Sequence, residues 1–296
     1  MIEIHIDTLI ALDKEFAEEG IAPHQRPWAA ALRILGEDLV FERVPDPDRD
    51  AKTKGVMDLY TQKFPNCKGW PGMGVGLVAS MDSIKRVIVP VVYGSLNMPT
   101  WKSLGFETEM EWKLFINGSE TLADRHFFDV IDLHDFTYGM SDKGGKGAGA
   151  NLWYMARSYL EVSASQLETG VLNPGVVQSI SLVVETSLKA ALLELGVSET
   201  VLRNKPYGHN LVNLAQKLSE ISPHNDDKLI KILVKDFPPF VGSRYAPGEL
   251  RRLDRVRLAT IAQFIAGSAM RRVSDRNLLE AAIGDFPKRK EGLYRL

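Results

Sequence analysis

The sequence predicts an α+β or mostly α protein, with a mixed N-terminal region followed by an antiparallel helical bundle. Three observations carry this. Apolar residues recur at three- and four-residue spacing through most of the chain beyond residue 151. A short valine-rich run, "RVIVPVVY" (86–93), reads as a strand and has no counterpart in the second half. Between the two halves lies "YGMSDKGGKGAGAN" (138–151), glycine-rich and without apolar periodicity. The expected division is therefore a mixed α/β domain over 1–140, a linker over 141–150 and a bundle over 151–296.

In chain order, residues 7–42 read as two helices separated by "GIAPHQRPW", and the acidic "RVPDPDRDAKTKG" then reads as a loop. "GWPGMGVG" (69–76) reads as a turn, and Pro90 marks the valine-rich strand as an edge or a bulge. Residues 107–135 fit a helix or an alternating strand equally well. Beyond the linker, Trp153, Ala156, Leu160, Ala164 and Leu167 share one helical face. Asn173 and Pro174 then open a helix that Gly196 closes, with Val177, Ile180, Val184, Leu188, Ala191 and Leu195 as its inner stripe. A third helix carries Leu211, Leu214, Ala215 and Leu218. A fourth, starting near Glu249, carries Leu250, Leu253, Val256, Ile261 and Phe264. Four such helices with short connections imply an antiparallel bundle.

Composition excludes some classes. With 45% hydrophobic and 25% charged residues the 296-residue chain is neither disordered nor fibrous. One cysteine, Cys67, rules out an internal disulfide framework and suits a reducing compartment. The N-terminal stretch lacks a basic region and a small-residue cleavage site, and no apolar run reaches the roughly 20 residues that span a bilayer. The expectation is a cytoplasmic protein without a membrane partner. Charge is uneven: residues 1–60 hold seven Lys/Arg against thirteen Asp/Glu, and residues 240–276 hold eight arginines against three acids. The arginine-rich stretch reads either as a solvated, internally paired face or as an anion-binding helix presenting Arg251 and Arg255.

Neither glycine-rich stretch has phosphate-loop order. "GMGVG" lacks the G-x-G-x-x-G spacing, and "GGKGAGAN" lacks G-x-x-x-x-G-K-[ST], so both read as turn and linker. In "RHFFDVIDLHD", His126, Asp132 and His134 would share a face if the segment were a strand, a weak metal set. As a helix, only His126 and Asp129 would pair. No cofactor is implied.

The strongest pattern lies further on. Glu185 and Lys189 sit one turn apart in an apolar helix, and "RNKPYGHNLVNL" (203–214) places Arg203, Asn204 and His209 just ahead of the next helix. The combination "SLVVETSLKAALLELG … GHNLVNLAQKL … SRY", ending on Arg244 and Tyr245, resembles the HEPN family of helical bundles over roughly residues 150–275. That resemblance implies a bundle, often dimeric, that binds RNA or nucleotides. Its nucleolytic members are metal-independent ribonucleases carrying an Arg-x(4–6)-His motif that opens on a polar residue. Arg203-Asn204 and His209 match this in letters, with Glu185 beside them as a catalytic candidate, and Lys189, Arg244, Tyr245, Arg251 and Arg255 would face nucleic acid. Pro206 and Gly208, however, keep Arg203 and His209 off a common helix, and His209 reads equally as a helix start or a partner for Glu185. The resemblance further implies a homodimer or a partner protein and a place in a toxin–antitoxin or anti-phage system, to which such bundles joined to an unfamiliar domain often belong in bacteria. Two other readings stay open: an enzyme with its site at His126–Asp135 that uses the bundle to oligomerise, and a non-catalytic structural subunit.

Overall fold

The computed structural model describes residues 4–21, 23–36, 47–67, 73–90, 98–143, 145–170, 175–239, 250–281 and 287–294. Most of these are helical, with one two-stranded antiparallel sheet. The chain divides into two compact units, Met1–Pro71 and Gly72–Leu296. The boundary expected at 141–150 is thus corrected: the glycine-rich stretch lies inside the second unit, helical up to Lys143 and from Ala150 on, with a loop at 145–149 between.

The first unit is a small helical cluster of α1 (Ile6–Glu18), α2 (Arg26–Leu35) and α3 (Pro47–Lys63). Leu9, Leu12, Phe16, Ala30, Ala31, Val56, Tyr60 and Cys67 form its core. Inside it the Tyr60 hydroxyl donates to Asp13 Oδ1 at 2.6 Å, and Arg26 Nη1 donates to the same oxygen at 3.0 Å. The loop expected over "RVPDPDRDAKTKG" is helical from Pro47 on. Proline suits a first helical position, where no N–H is needed, and Val56 and Tyr60 bury the helix's inner face.

The second unit opens on β1 (Gly74–Ser80), which pairs with β2 (Ser83–Val89) in the register Gly74–Val89 to Ser80–Ser83. The turn expected over "GMGVG" is therefore corrected to a buried strand from Gly74 on, and β2 begins three residues before the strand expected at 86–93 and ends at Val89, with 91–93 outside the described residues. Gly76 has a packing reason. A Cβ there would stand 2.0 Å from Leu133 Cδ2 and 2.5 Å from Gln263 Oε1, so the strand reaches the helices only without a side chain. Gln263 then bonds both backbone groups of the neighbouring residue, Leu77.

α4 (Thr100–Ser103) follows, and the ambiguous region 107–135 resolves as two helices, α5 (Glu109–Phe115) and α6 (Glu120–Lys143). A loop leads into α7 (Ala150–Glu168). α8 (Val176–Glu194), α9 (Glu199–Arg203), α10 (Leu211–Ile221), α11 (Asp227–Leu233), α12 (Arg252–Arg271) and α13 (Leu278–Ala281) follow. α8 packs on α7, α10 and α12, and α12 also packs on α6. Every inner-stripe residue expected on α7 is buried, as are those on α8 apart from Leu195 and all four on α10. α8 alone among the described residues is long and apolar enough to cross a membrane, and it is the mostly buried core helix of this bundle.

The loop before α7 is glycine-rich for a local reason. The Glu194 carboxylate accepts from the Gly149 backbone N–H at 3.1 Å and from Lys143 Nζ at 3.3 Å, and a Cβ on Gly147 would stand 2.4 Å from it. A carboxylate of the chain itself holds the place a phosphate would take at this helix start.

Candidate functional site

Ser181, Glu185 and Lys189 follow one another at four-residue spacing, so they lie along one face of α8. Glu185 is buried in an apolar helix and needs partners there. It has two: Lys189 Nζ donates to Oε1 at 2.8 Å, and His209 Nδ1 lies 2.9 Å from Oε2. Because the carboxylate only accepts, Nδ1 is the donor, and in the neutral ring Nε2 carries the lone pair. The His209 side chain is 54% exposed, so its outer edge reaches the surface while its inner edge is fixed.

The segment carrying His209 is held at both ends. Asn204 Nδ2 donates to Thr200 O, and the Tyr207 and Gly208 N–H groups return to Asn204 O. Asn210, not His209, caps α10 by accepting from Asn213 N at 3.0 Å, and Asn213 Nδ2 ties back to Pro206 O at 2.8 Å. This braced loop forms one wall of a groove of about 810 Å³, and the turn at Val234–Asp236 with Phe237 to Pro239 forms another. Arg203, Lys205, Lys235 and His209 all line it, with Tyr207 and Asn213 among the neutral residues. Among the described residues no carboxylate does. Arg203 also pairs with Glu199 at 2.5 Å on the open side of α9. Lys205 and Lys235 pair with no carboxylate among the described residues. Arg203 and His209 thus meet at one groove without sharing a helix. Lys205, Lys235 and Tyr207 were not anticipated: Lys235 lies far along the chain, with no local pattern to mark it.

Other expected residues are placed differently. Arg244 and Tyr245 lie outside the described residues, as do Asn173, Pro174 and Glu249. Arg251 is exposed and forks onto Asp254, donating Nε and Nη2 each at 3.1 Å. Arg255 is buried, so the expectation that it faces nucleic acid is corrected. The arginine-rich stretch is paired elsewhere as well. Arg257 pairs with Asp236, Arg272 with Asp227 and Arg276 with Asp142. Arg271 binds Asp132, Asp135 and Asp226 at 3.0–3.1 Å. Of the expected local pairing Arg251 with Asp254 is present, whereas these other arginines pair with acids of α6 and the segment around α11, and the Arg271 and Arg272 side chains are buried there and not solvated.

The metal set is also corrected. On a helix, His126, Asp132 and His134 do not converge. His126 accepts from Trp112 Nε1 at 3.0 Å and faces Ala79 O at 3.1 Å, and burial together with the Arg125 charge pushes its pKa down to about 3. Asp132 holds Arg271 and Arg289, and His134 stacks on Tyr138 with ring centres 4.5 Å apart. Burial pushes Asp129 up to about 7 despite Arg125, whose Nε is 3.8 Å away. Among the described residues no three His, Cys, Asp or Glu side chains are placed to hold a metal ion.

No protein-family profile, curated protein or solved structure matches this chain.

Proposed function

We propose that the second unit is a HEPN-like bundle that binds the phosphate groups of RNA or a nucleotide in the groove beside His209. One observation carries this reading: Arg203, Lys205 and Lys235 line a single groove that no described carboxylate lines, beside a histidine fixed by a buried glutamate. Cations from separate segments gathered at one concavity suit a phosphate-bearing ligand, and Tyr207 offers a face for a base. The RNA-binding surface proposed here is the groove, not the arginines of α12. Homodimer or partner-protein assembly, and a place in toxin–antitoxin or anti-phage systems, belong to this reading through the family resemblance alone.

Arg203 and His209 at one groove also favour a ribonuclease reading. His209 Nε2 would take the proton of a ribose 2′-hydroxyl as that oxygen attacks phosphorus. Arg203 would offset the charge gathering on the phosphoryl oxygens. The P–O5′ bond would break, the 5′ oxygen would take up a proton, and a 2′,3′-cyclic phosphate would remain.

The test is anisotropy of a labelled single-stranded RNA titrated with the full chain in chelator, with product ends examined afterwards. With three phosphate contacts, log K should fall against log salt with a slope of about −2. Binding without new ends identifies a binding module, and cyclic-phosphate ends identify the nuclease. Salt-independent binding, or none, contradicts both.

A further inference from the structure

The last described segment, 287–294, enters the second unit through its side chains. Arg289 places its guanidinium carbon 4.3 Å from the ring centre of Phe128 on α6 and 4.4 Å from that of Phe264 on α12. The same group donates to both Asp132 oxygens at 2.7 and 2.8 Å and lies 3.9 Å from Asp226. Nη1 also donates to the Tyr294 hydroxyl at 2.6 Å, and the Tyr294 ring stacks on Phe264 at 5.3 Å. Arg257 Nε closes over the Tyr294 carbonyl. Leu293 and Tyr294 are buried, whereas Lys288, Lys290 and Gly292 face solvent. The segment's own turn, Leu293 N–H to Lys290 O, is internal to it.

We propose that the cleft between α6 and α12 is a recognition site for a guanidinium-plus-aromatic peptide, filled here by the chain's own C-terminal residues as a separable ligand. The cleft has the chemistry of a dedicated arginine pocket. Two aromatic faces accept the flat faces of the cation, and a carboxylate meets its fork edge-on. The cleft also needs a cation. Arg271 binds Asp132, Asp135 and Asp226, Arg289 binds Asp132 and approaches Asp226, and His134 and His224 flank Asp135 and Asp226, so without Arg289 the three carboxylates would share one guanidinium. An ammonium has neither the fork nor the flat faces, so the site selects arginine over lysine.

The test uses the full chain with a protease sequence inserted among residues 282–286, cut after folding and then mixed with a fluorescent peptide of residues 287–296. The cut tail is expected to stay bound and to exchange for the labelled peptide. An Arg289→Ala peptide should compete about 100-fold less well, and Arg289→Lys about 10-fold less well. Failure of the label to enter over a day, loss of the tail with no rebinding, or equal competition by the Arg289→Ala peptide overturns the proposal. On the unaltered chain, the Leu293 amide should exchange hydrogen at least about 10-fold faster than amides in the middle of α8. Exchange of both at one rate would show that the segment does not separate, which also overturns it.

Discussion

Replacing Arg271 by alanine is expected to cost about 3–5 kcal/mol of folding stability, the largest single effect anticipated in this chain. Its guanidinium is almost wholly buried and binds Asp132 and Asp135 on α6 and Asp226 just ahead of α11. One side chain thus ties α12 to two other segments. Its loss leaves carboxylates in a low-dielectric setting with one cation fewer, and the cost of that unpaired charge exceeds the net value of the pairs. Arg276→Ala is the control. Arg276 pairs with Asp142 at the surface, both side chains about two-fifths exposed, and its loss should cost no more than about 1 kcal/mol. The penalty should also depend on pH. Although burial opposes it, Asp226 is held below its ordinary value by His224, Arg271 and Arg289. Its ionised form therefore stabilises the fold fully above the unfolded carboxylate pKa of about 3.9, and that contribution is lost as pH falls through the lower folded value. Urea unfolding of the two variants at pH 7 measures the contrast. A loss below about 1 kcal/mol for Arg271→Ala would mean that water or protons satisfy the acids instead.

The second large effect concerns binding. The double change Lys205→Glu and Lys235→Glu should weaken RNA binding by about 100-fold and bring the salt slope from about −2 to near zero. Both lysines line the groove and neither pairs with a described carboxylate, so reversing them changes the groove's field without breaking an ion pair. Stability should stay within about 0.5 kcal/mol. Matched reversal of Arg251 serves as a comparison, because that side chain already forks onto Asp254. If the double variant binds as the parent does, the groove is not the binding site.

Much of the second unit was legible in the sequence because its helices are amphipathic. The stripes on α7, α8 and α10 follow from spacing alone, and α8 stands out as the most apolar segment. The Glu185–Lys189–His209 cluster was legible in part. A carboxylate in an apolar helix needs partners, and Lys189 one turn on is one of them. His209 reaches it only through a braced loop that no local pattern predicts.

The helix over 120–143 was harder to see. "HFFDVIDLHDF" alternates well enough to imitate a strand, and only its partners decide the matter. Asp129, Asp132 and Asp135 recur every three residues among apolar neighbours, a pattern that asks for buried cations. Arg271 and Arg289 answer Asp132 and Asp135 from more than 130 residues away, while Arg125, one turn back, faces Asp129. The same long-range pairing decides the arginine-rich stretch, whose own letters leave the paired and the anion-binding readings both open. Glycines misled for a related reason. Those at 74, 76, 147 and 149 read as turn and tether, yet they stand where a strand or a loop comes too close to a neighbour for a Cβ.

The most direct test of the central claim is hydrogen exchange on the full chain with and without a single-stranded RNA, read by peptide. Slowed exchange over residues 203–213 and 234–239, with no change across the first turn of α12, is the predicted outcome. Protection confined to α12 or to the first unit, with the 203–213 loop unaffected, would contradict it.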